Sequence, residues 1–548
     1  MSRKMFSVFT AVALGVFALA SVAAPGYAQS NTLTILHAND THSTLFPFGP
    51  RGQFGGIARM ATLIKERYAA AEGGPVLVFH AGDVFVGSFE FNKYLGYPEL
   101  KIMEGLYNAM ALGNHEFDLG FEPLTGILSG ALGNQGPVAV PILCANLDTS
   151  GLPLAALVQK GIKKTVGGLT VGITAVVNAD PQNYSADVAA RLSDPYEAAG
   201  VQAATLRAQG CQVVVCISHL GKTADFVGLS QVPGIDIIVG GHSHDALAQP
   251  LAAGGKLIVQ AGEFGRYLGE LKVDVGGGAV NAVSYKLYPV DRSVPQDPTL
   301  LPLLSMLKAG IVADPRFGPV YTKLVAWAER DLERRWVEAE PERDTGLGNL
   351  VTDAMRKGVH GYGFPADIAL EANGYLGAKI LAGKVVGNDI LRAVPYGYDP
   401  ASGLGFKVHC VLIAGAQLLA GLEYSLTYVE YTDEISMQVS GFRFAYDSRN
   451  PPSGGLGQLS RLDPASVRIH GQPINPEGLY WVALNEQLYK SLVALGLQPF
   501  SHVDTGLFEY NLVRSFMMNL NQVDYEAEGR IIDRKYKTSA LGERLRRK

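Results

Sequence analysis

Four short runs, residues 33–37, 75–80, 213–218 and 235–239, limit what this chain can fold into more than any other feature, because they are rich in β-branched residues and almost wholly apolar. Runs of that length and composition are expected as central strands buried on both faces, the pattern of parallel sheets. Each ends at or just before a side chain that can bind a metal, in Asp40-Thr-His42, Gly82-Asp83, Ser218-His219 and Gly241-His242-Ser-His244. A weaker run at 109–112 leads into Gly113-Asn114-His115-Glu116. Ligands of open α/β sheets bind beyond the carboxyl ends of the strands, so the five segments are expected to meet at one rim. Taken singly, each has an ordinary reading: Asp40 and His42 as a turn-forming pair, His219 as a hydrogen-bonded core residue, 241–244 as a polar turn. Five in order, all after strand-like runs, read together as one cluster. His37 and His80 lie inside their strands and read as core residues.

Residues 31 to about 290 alternate such runs with helical patterns at 57–70 and 196–209, the mark of α/β layering. A chain of 548 residues exceeds one ordinary core. A Pro-punctuated stretch at 289–302 and a helix-like segment at 300–308 separate off a second module. In it, helices are expected at 320–338 and 347–357, the latter capped by Thr345, with strands after Lys407 and a surface loop at 451–457. The expected division is a leader at 1–28, a first domain at 31–295, a linker helix region at 296–318, a second domain at 319–536 and a basic tail at 537–548.

Arg3 and Lys4, an apolar stretch at 5–24 and the small residues of Gly26-Tyr27-Ala28 read as a secretory signal cleaved after Ala28. A periplasmic or secreted protein with no stable membrane insertion after cleavage is expected. An uncleaved anchor is the alternative, opposed by Pro25 and Gly26. Loss of the leader leaves 44 Lys+Arg against 51 Asp+Glu, a formal charge near −7, which offers no basic excess for a nucleic acid polymer. Cys144, Cys211, Cys216 and Cys410 form neither a disulfide framework nor a zinc-ribbon spacing. Cys211 and Cys216 are expected on opposite sides of one strand, and all four as buried free thiols.

Asp, His and Asn donors suit two divalent ions such as Mn²⁺, Zn²⁺, Co²⁺ or Fe²⁺ better than a lone Ca²⁺. Two ions about 3.5 to 4 Å apart need a bridging carboxylate and acidify a water between them. Asp83, between the turns bearing Asp40 and Asn114, is the best placed bridge.

The strings Ile35-Leu-His-Ala-Asn-Asp-Thr-His-Ser43, Gly113-Asn-His-Glu-Phe-Asp118 and Gly240-Gly-His-Ser-His244 resemble the calcineurin-like metallophosphoesterases, in particular the exported 5′-nucleotidase/UDP-sugar hydrolase branch. Residues 141–147 and 260–262 extend the likeness across 31–290. The resemblance implies an N-terminal four-layer α/β/β/α sandwich joined by a linker helix to a smaller α+β substrate domain. It implies Asp40, His42, Asp83 and His244 around one ion and Asp83, Asn114, His219 and His242 around the other. His115 resembles the branch's catalytic histidine, paired with Asp118, and stabilises charge on the phosphoryl oxygens while a metal-bridging hydroxide attacks in line.

Residues 343–356, 438–447 and 480–485 resemble landmarks of the family's C-terminal domain, which supplies the substrate pocket. Two segments depart from the pattern. Where the family shows Asn-Gly-Gly-Gly-Ile-Arg, this chain has Asn373-Gly-Tyr-Leu-Gly-Ala-Lys379, a point charge in place of a guanidinium fork. The family's Gly-Gly-Asp-Gly-Tyr is not recognisable in 487–501. Asn373, Lys379, Tyr396 and Phe500 are the candidate substrate-binding residues. The expected function is an exported dinuclear-metal phosphohydrolase acting on nucleoside 5′-monophosphates or related nucleotides, small phosphate esters rather than polymers. UDP-sugar or 2′,3′-cyclic nucleotide hydrolysis is the near alternative. Sulfur-ester hydrolysis and a non-catalytic surface nucleotide-binding protein are the more distant ones.

Overall fold

The computed structural model describes residues 32–133, 136–276 and 279–536, so the expected leader and basic tail lie outside the described residues. The chain forms two compact units. Of the described residues, the first takes in 32–48, Gly52–Val86 and Tyr94–Leu307; the second takes in Gly49–Arg51, Gly87–Lys93 and 308–536.

In the first unit the apolar runs become strands of two sheets, the two β layers of the α/β/β/α sandwich that the resemblance implies. A seven-stranded sheet has the order β13-β12-β1-β2-β3-β4-β5. Its members are β1 (Thr32–Ala38), β2 (Val76–His80), β3 (Ala109–Ala111), β4 (Ile142–Leu143), β5 (Val158–Gln159), β12 (Tyr267–Gly276) and β13 (Ala279–Pro289). A six-stranded sheet, β10-β11-β9-β8-β7-β6, is built from β6 (Gly161–Val166), β7 (Leu169–Val177), β8 (Val213–His219), β9 (Ile237–Gly240), β10 (Leu251–Ala253) and β11 (Lys256–Val259). The central strands of both are parallel; antiparallel partners close both edges of the six-stranded sheet and the β12–β13 edge of the seven-stranded one, whose other edge, β5, is parallel to β4.

Strand alternation explains the layering. Val213, Val215 and Ile217 of β8 join Leu33, Ile35 and Phe79 of the other sheet in one core. Val214 and Cys216 turn the other way, onto Ala199, Ala203 and Leu206 of the helix Pro195–Ala208. A strand covered by a sheet on one side and a helix on the other must be apolar at every position, which is what the runs show. Cys211 does not face away from Cys216 as the strand reading required: it precedes β8, outside the alternation, and enters the same apolar layer. All four cysteines are buried free thiols.

Among the described residues, the second unit holds three smaller sheets. A five-stranded one, β18-β15-β22-β17-β23, comprises β15 (Ile368–Ala372), β17 (Lys407–Ala414), β18 (Met437–Ser440), β22 (Leu479–Asn485) and β23 (Ser501–Phe508). Helix Gly346–Gly361 forms where expected, with Thr345 Oγ1 accepting from Gly348 N at 3.0 Å. The helix expected at 320–338 does not form. Val325, Ala326 and Ala328 are instead buried in β14 (Leu324–Ala328), which pairs with β16 (Gly383–Val386) and β24 (Gln522–Val523). Backbone pairing on both sides outweighs the weak helical propensity of that segment. The linker helix runs Leu301–Val312, and the boundary between the units falls within it. The loop at 451–457 is exposed coil for most of its length. Among the described residues, no helix is long and apolar enough to cross a membrane.

Candidate metal centre

The segments after β1, β2, β3, β8 and β9 converge, so the meeting place is the carboxyl edge of two facing sheets and not the rim of one. Main-chain bonds join the first two turns: Asp40 N donates to Gly82 O and His42 N to Asp83 O, both at 3.0 Å. The third turn is pressed against them. A Cβ on Gly113 would stand 2.1 Å from Asp83 Oδ1, so only glycine fits. Asp40, His42, Asp83, His242 and His244 all have positive φ, between 45° and 72°. Left-handed backbone costs a non-glycine residue about 1–2 kcal/mol, and five such residues in one site mark a geometry maintained for function.

Two donor groups result: Asp40, His42 and His244, and Asp83, His219 and His242, each with its ligand atoms within 4.8 Å of one another. The other ring nitrogens are already committed. His42 Nδ1 donates to Phe85 O (3.2 Å), His219 Nδ1 to Ala81 O (2.6 Å) and His244 Nδ1 to a Glu263 carboxylate oxygen (2.5 Å). These partners leave each Nε2 as the ring nitrogen turned inward, the arrangement of metal-binding histidines. His42 Nε2 and His244 Nε2 lie 3.2 Å apart, His219 Nε2 is 3.1 Å from Asp83 Oδ2, and His244 Nε2 is 3.4 Å from Asp40 Oδ1. Ring nitrogens and two buried carboxylates gathered this closely call for positive charge among them, a proton or a metal ion, so the donor set fits divalent metal. Asn114 Oδ1 accepts from Asn178 Nδ2 at 3.4 Å.

The electrostatics agree. Burial pushes His219 and His244 down, but Asp83 and Asp40 for the first, and Asp40 and Glu263 for the second, outweigh it and raise both to about 9. Burial alone dominates at His42, which falls to about 3. A proton on His219 or His244 occupies the place of a cation and must leave when one binds.

His115 stands beside these groups. Its Nδ1 is 2.9 Å from Asp118 Oδ2, its Nε2 is 3.9 Å from Asp83 Oδ2, and its main-chain N donates to Asp83 Oδ1 at 3.0 Å. Burial lowers its pKa, but Asp118 and Asp83 raise it further, to about 9, so it is a cationic donor at neutral pH. Three residues with no role in the sequence reading also belong here: Glu263, Asn178 and Glu116, whose carboxylate accepts four main-chain amides. Burial and Asp83 push Glu116 up to about 7, against amides that favour its anion. Glu263 directly follows the string at 260–262, but nothing in its spacing marks it as a partner of His244.

The four candidate substrate residues lie in the second unit. Asn373 is buried, donates Nδ2 to Asp433 at 2.8 Å, and its Oδ1 has no partner among the described residues. Tyr396 faces Tyr375 edge-on at 6.5 Å, and Tyr375 faces Phe406 at 5.8 Å. Lys379 is committed to Asp331 (2.8 Å) and Glu333 (2.7 Å), which neutralise the charge the sequence reading reserved for substrate. Phe500 is 67% exposed.

Two facing sheets with this donor set at their carboxyl edges define a metal-dependent phosphoester hydrolase. Residues 33–246 match the calcineurin-like phosphoesterase family, and 325–491 match the 5′-nucleotidase C-terminal domain. The two matched regions place a calcineurin-like phosphoesterase domain before a 5′-nucleotidase C-terminal domain in one chain. It is 27% identical to a 5′-nucleotidase of Diplobatis ommata over 92% of this chain and 91% of that one. It is 25% identical to protein UshA of Yersinia enterocolitica over 93% and 96%. Among solved structures, a 5′-nucleotidase precursor from Thermus thermophilus superposes with a TM-score of 0.76 at 29% identity, covering 92% of this chain and 99% of that one.

Proposed function

We propose that the protein removes phosphate from nucleoside 5′-monophosphates or related nucleotides at a dinuclear metal centre. The carrying observation is that His42, His219 and His244 each have Nδ1 tied to an acceptor and Nε2 directed at Asp40, Asp83 or one another. Asp40, His42, Asp83 and His244 would hold one ion and Asp83, Asn114, His219 and His242 the other, with Asp83 common to both. Divalent ions bound there supply Lewis acidity, which polarises a phosphoryl oxygen and lowers the pKa of a water. His115 donates from Nε2 to the phosphoryl oxygens as negative charge builds on them, and Asp118 holds its ring and its positive charge. Asn373 and Tyr396 are proposed to contact the rest of the substrate, and Lys379 and Phe500 hold weaker claims for the reasons given above. The domain limits 31–295, 296–318 and 319–536, and export to the periplasm or medium, belong to the same reading.

Phosphate release from AMP, UDP-glucose, a 2′,3′-cyclic nucleotide and an aryl phosphate, each with Mn²⁺ or Zn²⁺ and with chelator, tests it. AMP should be turned over, chelator should abolish turnover, and Asp83→Ala and His115→Ala should each remove most of it. Turnover indifferent to chelator and to Asp83→Ala would sink the dinuclear centre. The pairing of Lys379 with Asp331 and Glu333 favours a second reading, in which the same chemistry acts on a nucleotide ester other than a 5′-monophosphate.

A further inference from the structure

Glu116 is 2% exposed, and both its oxygens are taken up by main-chain amides of two separate turns. Oε1 accepts from Val84 N (2.8 Å) and Phe85 N (3.1 Å); Oε2 accepts from Gly113 N (2.5 Å) and Asp83 N (3.0 Å). These four amides surround the donors. One belongs to Asp83, two follow it, and the fourth belongs to the residue before Asn114. Phe85 in turn offers its carbonyl to His42 Nδ1. The turn after β2 needs such support, since Asp83 (φ 55°) and Val86 (φ 64°) are both left-handed and neither is glycine.

We propose that Glu116 is a positioning residue: its carboxylate clamps the turn bearing Asp83 to the turn bearing Asn114, and through Phe85 fixes His42, without itself binding metal or substrate. The part of this statement that concerns metal rests on the dinuclear reading above; the clamp itself does not.

The chemistry demands a carboxylate. Four N–H donors converge on two oxygens, and only an acceptor-only group can meet all four. Glutamine has the same shape but turns an NH₂ toward two of the amides, leaving buried donors facing donors. Glu116→Gln should therefore resemble Glu116→Ala rather than the wild type, which is not the behaviour of a site where shape or packing alone matters.

Amide hydrogen exchange on the metal-stripped full chain tests the clamp directly. In the wild type the amides of Asp83, Val84, Phe85 and Gly113 should be protected although they lie outside regular strands. In Glu116→Gln, protection should be lost at two or more of them, with the central strands unchanged. Titration with Mn²⁺ should then show affinity at least about tenfold weaker than wild type. Turnover of an aryl phosphate by the variant should be restored in part by excess Mn²⁺, whereas His115→Ala should not respond. Free exchange of the four amides in the wild type overturns the clamp even if no variant folds, and so does a Glu116→Gln protein with wild-type exchange and wild-type Mn²⁺ affinity. Wild-type protein that takes up no Mn²⁺ overturns the dinuclear reading instead, and the clamp then stands or falls on exchange alone.

Discussion

At the scale of single residues, Glu263 shows how much of a metal donor lies outside the donor. Its carboxylate lies 2.5 Å from His244 Nδ1 and holds the ring with Nε2 toward Asp40 and His42. Glu263→Ala should weaken metal binding about 10–100-fold, read by competition with a chromogenic chelator, while the fold holds because Glu263 is partly exposed. His115→Ala is expected to leave metal binding intact and lower kcat by about 10²–10⁴-fold, with a smaller change in KM, because its cation acts on charge that develops only during reaction. Six of the donor candidates, all but Asn114, are brought into two groups, and His115 lies beside Asp118, a clustering legible in the chain because each follows or ends a strand or lies within one turn of such a residue. Glu116 and Glu263 were not legible, because their partners are decided by packing between turns 3 to 33 residues distant in one case and by a loop after another strand in the other.

At the scale of elements, the same limit appears as a question of which strands share a sheet. An apolar run announces a doubly covered strand, but whether its cover is a helix or another sheet is settled by chain connections far away. The strand pattern alone points to one rim, and it is the resemblance that implies the two facing sheets the chain forms. The failure at 320–338 has the same origin, since β14 is held by partners at 383–386 and 522–523. Where the determinant is local, expectation and structure agree: the helix at Gly346–Gly361 begins at the residue after its Thr345 cap. Thr345→Ala should lower stability in urea by about 1 kcal/mol without changing the metal centre. Gly113→Ala should do the reverse. The added methyl must displace the Asp83 carboxylate, so metal binding should be lost while most of the first unit's core persists, which calorimetric metal titration and near-UV dichroism together would establish.

At the scale of the whole molecule, the two units carry different sensitivities, because all the metal donor candidates lie in the first and a buried pair of carboxyls lies in the second. Glu371, on β15, and Glu509, at the start of helix Glu509–Leu520, share a hydrogen bond, and Glu371 also accepts from Asn485 Nδ2 at 2.7 Å. Burial raises both, Glu509 to about 7, and the charge each would place on the other raises Glu371 further. The folded unit then keeps a proton that the unfolded chain, with ordinary glutamates, has released. The stability contributed by Glu509 is complete below the unfolded glutamate range near pH 4.5 and is lost as pH rises through about 7, while Glu371, raised well above that range, loses its share as pH rises through its own raised value. Buried Asp225, also raised to about 7, gives the first unit a slope of the same sign, so unit-resolved hydrogen exchange is the measurement that separates them. Between pH 5 and 8 the second unit's exchange-derived stability should fall in the wild type and fall less in Glu509→Gln, whose amide cannot ionise. Chelator, which removes a ligand from the folded first unit alone, should lower only that unit's stability at any pH in the range. A second unit whose stability is flat across these pH values in the wild type would mean that the pair is ionised in the fold.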